Sequence, residues 1–202
     1  IGEYGLFESG DYMEMFPNQN GLFIIYYLLS FISGDNFYLY AQVFNVISVV
    51  LIYKAMSDIA KINGSSNFTS LVVLLSSLLF PVLLIYTWLI YGNIPGMAFA
   101  LLAIKYELLY FKSYKVKDCL LSVLFLTLSL MLKSFSLIYL VAMMIYALFK
   151  TADNKNIKGL FFIGLIIIGF ILQSLVPKMF IESRIGYKLD QGSSYYAHIA
   201  MG

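Results

Sequence analysis

Long apolar segments dominate this chain, and they restrict what it can fold into. From residue 37 to residue 177 the sequence is a succession of hydrophobic runs separated by short polar stretches. Hydrophobic residues make up 61% of the chain and charged residues only 12%, with a mean hydropathy of +0.84. A soluble domain carries about 25% charged residues, so this chain lacks the polar groups needed to cover a water-exposed surface. It is therefore predicted to be all-α, a polytopic bundle of transmembrane helices.

The lengths of the apolar runs predict about six spans, since a helix needs roughly 17–25 apolar residues to cross the hydrocarbon core. Four spans are assigned to the runs at residues 37–59, 68–90, 97–111 and 159–176. Pro81 predicts a kink in the second of these, and Pro177 is expected to end the last. The run 119–149 is too long for one helix and holds Lys133-Ser134 at its centre, so two short helices meeting there are expected.

Residues 18–33 are predicted to form a juxtamembrane helix that lies at the interface. The apolar run from Leu22 to Ile32 is too short to span the membrane. Gly34 is typical of a helix end, and Asp35 or Asn36 can cap the helix that follows. A short, tilted transmembrane helix is the alternative for this segment.

The lysines predict the orientation of the bundle. With six spans, the loops 60–67, 112–118 and 150–158 lie on one side of the membrane. Eight lysines lie on or beside these loops: Lys54, Lys61, Lys112, Lys115, Lys117, Lys150, Lys155 and Lys158. The positive-inside rule makes this side cytoplasmic.

Three units follow from this orientation. Residues 1–36 are an extracytoplasmic loop with the juxtamembrane helix, 37–177 are the transmembrane bundle, and 178–202 are a further extracytoplasmic loop. The first of these units carries four acids in residues 1–17 and no lysine or arginine, which fits the outer side.

Candidate functional residues gather on the outer side. The stretch 10–21 places polar and aromatic groups directly before the juxtamembrane helix; its candidates are Asp11, Tyr12, Glu14, Pro17, Asn18 and Gln19. Asn93, Lys133 and the polar residues of 178–202 are expected to join them around one cavity. Acids suit proton transfer, tyrosines and amides suit a sugar, and a lysine between two half-helices suits a lipid phosphate.

Each candidate also has a structural interpretation. Lys133 can extend to the lipid headgroups, Asp11 and Glu14 can be solvated loop charges, and Pro17-Asn18 can be a helix start. Asn93 can be a turn residue. Gln42 and Asn45 are expected to make interhelix hydrogen bonds.

Several chemistries are excluded by the residue counts. The only cysteine, Cys119, cannot form an internal disulfide, and the only histidine, His198, rules out a histidine-rich metal cluster. No phosphate loop, zinc-ligand spacing or Ser-His-Asp order occurs. We expect no metal, no cofactor and no nucleic-acid partner.

Three stretches together resemble GT-C-type membrane glycosyltransferases, relatives of protein O-mannosyltransferases and of the bacterial aminoarabinose transferase. Gly10-Asp11-Tyr12 with Phe16-Pro17-Asn18-Gln19-Asn20-Gly21 is similar to the G-D-Y…Y/F-P-N-x-x-G stretch of their first outer loop. Residues 90–96, Ile-Tyr-Gly-Asn-Ile-Pro-Gly, resemble the Y-G-D-I-P of their second outer loop. Residues 132–138, Leu-Lys-Ser-Phe-Ser-Leu-Ile, resemble their L-x-K-x-x-x-x-I turn between half-helices. The resemblance covers about residues 10–150.

The resemblance implies an enzyme of the bacterial cell membrane that transfers a sugar from a polyprenyl-phosphate donor to an acceptor on the outer face. Lys133 would bind the lipid phosphate, while Asn93 and the six candidates of residues 10–21 would lie on the acceptor or sugar side. The membrane lipid and the lipid-linked sugar would be the partners, and no nucleotide would be needed.

Two departures from the family pattern limit this expectation. The family's catalytic aspartate would precede Ile1, so the chain is expected to be an inactive piece of a longer polypeptide that lacks the first transmembrane helix. Asn93 stands where the family has an aspartate, and an amide cannot act as a base. The alternatives are a non-catalytic, flippase- or polymerase-like protein for lipid-linked glycans and a structural subunit.

Overall fold

A computed structural model describes residues 19–79, 82–154, 156–186 and 188–189. These residues form α-helices and short 3₁₀ turns, with no strand among them, which confirms the all-α prediction for the described part. The helices are α1 (Asn20–Ser33), α2 (Phe37–Ile62), α3 (Asn67–Leu79), α4 (Val82–Ile85), α5 (Asn93–Ser113), α6 (Val116–Leu132), α7 (Leu137–Asn154) and α8 (Lys158–Ile185). The 3₁₀ turns are Gly34–Asn36, Tyr86–Trp88 and Ser134–Ser136.

Four helical segments of the described chain are long and apolar enough to cross a membrane, judged by length and composition. They are Asn20–Ile62, Asn93–Ser113, Ser134–Asp153 and Lys158–Arg184. Large apolar side chains point away from the bundle, among them Ile138 and Phe149, which are both more than 70% exposed. An exposed apolar surface of this kind is compatible with an integral membrane protein, because lipid rather than water would surround it.

The interior of the bundle lies where α5, α6, α7 and α8 meet. Its buried residues are Ala103, Tyr110, Phe111, Cys119, Leu126, Leu130, Leu140, Met143, Ala147, Phe162 and Ile166. Small residues allow close approach: Ala98, Ala100 and Ala103 of α5 are fully buried. Hydroxyls of α6 then reach the backbone of α5, as in the 2.8 Å hydrogen bond that Ser122 donates to Ala103 O. Small residues and hydroxyl bonds are the usual means of joining helices inside a membrane.

Helix α1 packs across one end of this bundle. Its Ile24 is buried with Ile181 of α8 and with Leu189. Its first turn contacts the end of α6, because a Cβ added to Gly21 would lie 2.5 Å from the carbonyl oxygen of Met131. Gly34 ends α1 with a positive φ of 51°, as predicted, and the chain continues into α2.

Two predicted boundaries were wrong. Helix α5 begins at Asn93 rather than at Met97, because Pro95 lies in its first turn, where a missing N–H is tolerated. Helix α8 does not end at Pro177 but continues to Ile185, so the boundary at 177–178 does not coincide with a helix end. Burial of Ile181 against α1 and Leu189 favours the helical conformation beyond the proline.

The other predicted helix boundaries agree with the structure in part. The break at Lys133-Ser134 is present, and α2 and α3 are joined by the expected turn. The predicted span 68–90 is divided among α3, α4 and a 3₁₀ turn. The kink predicted at Pro81 lies outside the described residues.

Substitution of Gly21 by alanine tests the close packing of α1 on α6. Alanine normally favours a helix over glycine by about 0.5–1 kcal/mol. At Gly21 the added methyl collides with the Met131 backbone, so we expect a net loss of about 1–3 kcal/mol in the free energy of unfolding.

The matched control is Gly164→Ala in α8, where an added Cβ meets no atom within 4 Å. Thermal unfolding in detergent should show Gly21→Ala less stable than wild type and Gly164→Ala at least as stable. Equal stability of the two variants would contradict the packing described above.

Candidate functional site

The candidate site is built around the interruption between α6 and α7. At Lys133 the backbone is extended, with φ −157° and ψ 126°. Its N–H still donates to Ser129 O at 3.0 Å, and its carbonyl accepts from the Ser136 N–H at 3.1 Å. The interruption therefore leaves these two backbone groups hydrogen bonded, as an apolar environment requires.

A buried hydroxyl pair connects this interruption to α5. The Ser129 hydroxyl donates to Gly96 O at 2.7 Å, and the Ser129 and Ser136 hydroxyls are hydrogen bonded to each other at 2.8 Å. Both serines are fully buried. The end of α6, the turn that begins α7 and the start of α5 are thus held together by one short chain of hydrogen bonds.

Glycines allow two further segments to approach the same point. Gly92 has a φ of +70°, and a Cβ there would lie 2.7 Å from Leu132 O and 2.8 Å from Leu22 Cδ1. Gly21 is equally close to Met131, the preceding residue of α6. The structure therefore brings together Gly21, residues 91–96 and Lys133, which belong to the three stretches that carry the sequence resemblance.

The Lys133 side chain lies over an aromatic ring. Its Nζ is 3.6 Å from the centroid of the Tyr91 ring, which is a close cation–π contact. Lys133 is half-buried, and neither of the two ion pairs found among the described residues includes it. Tyr91 thus positions the ammonium group without neutralising it, so the lysine keeps its capacity to bind an anion.

The other predicted site residues are placed as follows. Asp11, Tyr12, Glu14, Pro17 and Asn18 lie outside the described residues, as do the Tyr195, Tyr196 and His198 of the tail. Gln19 is half-buried and directly precedes α1. Asn93 is the exposed first residue of α5 and follows the Tyr91-Gly92 pair that contacts the lysine and the end of α6.

The predicted role of Asn45 is confirmed. Its Nδ2 donates to the carbonyls of Thr87 and Leu89, each at 3.0 Å, which connects α2 to the segment before Tyr91. Gln42 makes no hydrogen bond to another described residue.

Sequence reasoning missed two buried polar side chains. Asn20, at the start of α1, is 4% exposed, and its Oδ1 has no hydrogen-bond partner in the described part of the chain. Glu107 of α5 is 2% exposed, and its Oε1 likewise has no described partner. An acid within an apolar span was the available signal for Glu107. No group of three metal-ligating side chains occurs among the described residues.

Comparison with known proteins adds no relative: neither a protein-family model, nor a curated protein, nor a solved structure matches this chain.

The hydroxyl pair at the interruption can be tested with Ser129→Ala. The variant removes the donor to Gly96 and leaves the buried Ser136 hydroxyl without its partner, which should cost about 1–3 kcal/mol of stability. We also expect the turn after Lys133 to open, measured as faster maleimide labelling of Phe135→Cys in a Cys119→Ala background.

Ser122→Ala is the matched control, since Ser122 is equally buried and also bonds to a carbonyl of α5, but away from the interruption. It should lower stability without changing the labelling rate. If both variants label at the wild-type rate, the hydroxyl pair does not hold the turn.

Proposed function

We propose that this protein is part of a membrane glycosyltransferase, which moves a sugar from a polyprenyl-phosphate donor to an acceptor on the outer face of a bacterial cell membrane. The observation that supports this most is the position of Lys133. It lies at an interrupted helix, over Tyr91, where Gly21 and Gly92 pack against the adjoining end of α6. Gly21, Tyr91-Gly92 and Lys133 belong to three motifs that are far apart in the chain. Their packing around the turn that carries this cation supports a phosphate-binding site.

The proposal includes a topology of about six spans and one interfacial helix. Lys61, Lys112 and Lys150 lie near the ends of α2, α5 and α7, and we assign these ends to the cytoplasmic side. Lys133 and Tyr91 then face outward. Both ends of α1 lie at the Lys133 end, since its first turn contacts Met131 and its last residue leads to the start of α2. This favours an interfacial α1 over a short, tilted span.

In the proposed reaction, an acceptor hydroxyl attacks the anomeric carbon of the donor sugar. The new bond joins that carbon to the acceptor oxygen, and the bond between the carbon and the donor's phosphate oxygen breaks. The lipid phosphate leaves with the electron pair of the broken bond. Lys133 stabilises the negative charge that develops on it, and Tyr91 holds the ammonium in position.

A carboxylate must take the proton of the acceptor hydroxyl. We assign Asp11, Tyr12, Glu14, Pro17, Asn18, Gln19 and Asn93 to the acceptor or sugar side. Asn93 cannot serve as the base, and the resemblance places that acid upstream of Ile1. Among the described residues no carboxylate forms an ion pair with Lys133, so its ammonium is available for the lipid phosphate.

The same observation favours a second candidate, a non-catalytic protein that binds or moves a lipid-linked glycan. Such a flippase- or polymerase-like protein would use Lys133 for the lipid phosphate and would need no base. The sequence upstream of Ile1 separates the two, because a transmembrane helix followed by an aspartate is expected for the transferase alone.

Lys133→Ala is the direct test, carried out on the protein with its native flanking sequence. We expect sugar transfer to fall by about 10²–10³-fold, because the leaving phosphate loses its counter-charge. Transfer and donor binding are measured separately with a radiolabelled polyprenyl-phosphate sugar.

The control is Lys115→Ala, an exposed lysine of the opposite end, which should behave as wild type. Wild-type turnover in Lys133→Ala would refute the assignment. Loss of donor binding in a protein that never transfers sugar would instead support the non-catalytic candidate. Absence of donor binding in both wild type and Lys133→Ala would support a structural subunit.

The topology predicts opposite accessibility for two exposed positions. Asn93→Cys should react with a membrane-impermeant maleimide added to intact cells, while Ser65→Cys should react only after the membrane is opened. Both variants are made in a Cys119→Ala background. Labelling of Ser65→Cys in intact cells would overturn the assigned orientation.

A further inference from the structure

A second polar feature lies at the opposite end of the bundle from Lys133. A cleft of about 550 Å³ opens between the C-terminal ends of α2 and α5 and the last turns of α7. Three lysines line it, one from each helix: Lys61, Lys112 and Lys150. Phe111 and Tyr146 form part of its wall, and none of its described lining residues is an aspartate or glutamate.

The three lysines have no acidic partner in the described part of the chain. The ion pairs found there are Lys105 with Asp58 and Lys178 with Glu182. Lys112 Nζ donates to the carbonyl oxygen of Ile62, which fixes the ammonium at the end of α2. Lys150 Nζ lies 5.9 Å from the centroid of the Tyr146 ring. The cleft therefore concentrates three positive charges, two of them held by contacts within the fold.

An apolar groove adjoins the cleft. Its presence favours an anion that carries a hydrocarbon chain. This groove of about 440 Å³ has an apolar part, lined by Val49 and Val50 of α2, Leu74 of α3 and Leu84 of α4. Its other lining residues are Tyr53, Lys54, Ser57, Asp58 and Lys61 of α2. Lys61 lines both the groove and the cleft. A molecule with a phosphate in the cleft and a hydrocarbon chain in the groove would fill both, whereas a soluble phosphate would use only the first.

We propose that the three-lysine cleft binds the phosphate-bearing headgroup of an anionic membrane lipid, with an acyl chain in the adjoining apolar groove. Lysines near the cytoplasmic surface attract anionic lipid headgroups, and a basic pocket between helices adds a defined site to that attraction. Charge-assisted hydrogen bonds from the ammonium groups to phosphate oxygens would hold the headgroup. The site is separate from Lys133 and does not depend on the proposed sugar transfer.

The test compares two triple variants that remove the same charge from the same end of the protein. The cleft variant is Lys61→Gln, Lys112→Gln and Lys150→Gln. The control is Lys115→Gln, Lys117→Gln and Lys158→Gln, whose lysines are exposed and do not line the cleft. Each protein is placed in phosphatidylcholine nanodiscs containing phosphatidylglycerol, and the phosphatidylglycerol retained after extraction is measured by native mass spectrometry.

We expect wild type and the control to retain phosphatidylglycerol, and the cleft variant to bind it about tenfold more weakly. Equal weakening in both variants would overturn the proposal, because it would indicate a diffuse attraction of the whole face. Thermal stabilisation of wild type by soluble glycerol phosphate to the same extent as by phosphatidylglycerol would also overturn it, since the groove would then have no role.

Loss of the Lys112 bond to Ile62 O is a possible source of misfolding in the triple variant. The double variant Lys61→Gln, Lys150→Gln keeps that bond and should still bind phosphatidylglycerol more weakly than the control. Wild-type retention by a folded double variant would refute the site.

Discussion

The buried hydrogen bonds at the end of α6 are the constraint on which the rest of this structure depends. An interrupted helix in an apolar environment must satisfy the backbone groups that the interruption releases. Here the Lys133 N–H donates to Ser129 O, and the Lys133 carbonyl accepts from the Ser136 N–H. The Ser129 hydroxyl, bonded to the Ser136 hydroxyl and to the carbonyl of Gly96, then connects the interruption to α5. Lys133 is therefore presented by a defined turn rather than by a flexible end. Without that turn, Tyr91 would have no fixed ammonium group to contact.

The two ends of the bundle use lysine in different ways. At one end the Lys133 ammonium lies over an aromatic ring, and two glycines allow backbone segments to approach the adjoining end of α6 closely. At the other end three lysines from three helices line one cleft beside an apolar groove. The first arrangement suits one precisely held phosphate, and the second suits a headgroup whose chain remains in the membrane. On the two proposals above, a lipid-linked donor and a specifically bound anionic lipid use separate sites.

Much of the helical pattern could be read locally, and the errors have a common cause. Gly34 and Lys133-Ser134 interrupt apolar runs, so the breaks there were visible in the sequence. The span 97–111 was predicted to begin after Pro95 and the last span to end at Pro177, but each proline lies within a helix. A proline can lie within a helix or at its limit, and tertiary contacts determine which of the two is more stable. Beyond Pro177, Ile181 packs against Ile24 and Leu189, which favours continuation of the helix. Burial of Asn20 has no local signature, whereas Glu107 could have been found as an acid within the predicted span 97–111.

The sequence by itself determined the all-α class, the presence of apolar helices long enough to cross a membrane, the positions of most helices and the end of the bundle on which most lysines lie. These properties depend on composition and on the spacing of apolar, glycine and charged residues along the chain. The tertiary structure alone decided that Gly21 and Gly92 meet at the end of α6, and that Lys61, Lys112 and Lys150 share one cleft. Residues so far apart in sequence are brought together by helix packing, and helix packing depends on which small residues and hydroxyls face one another in the folded bundle.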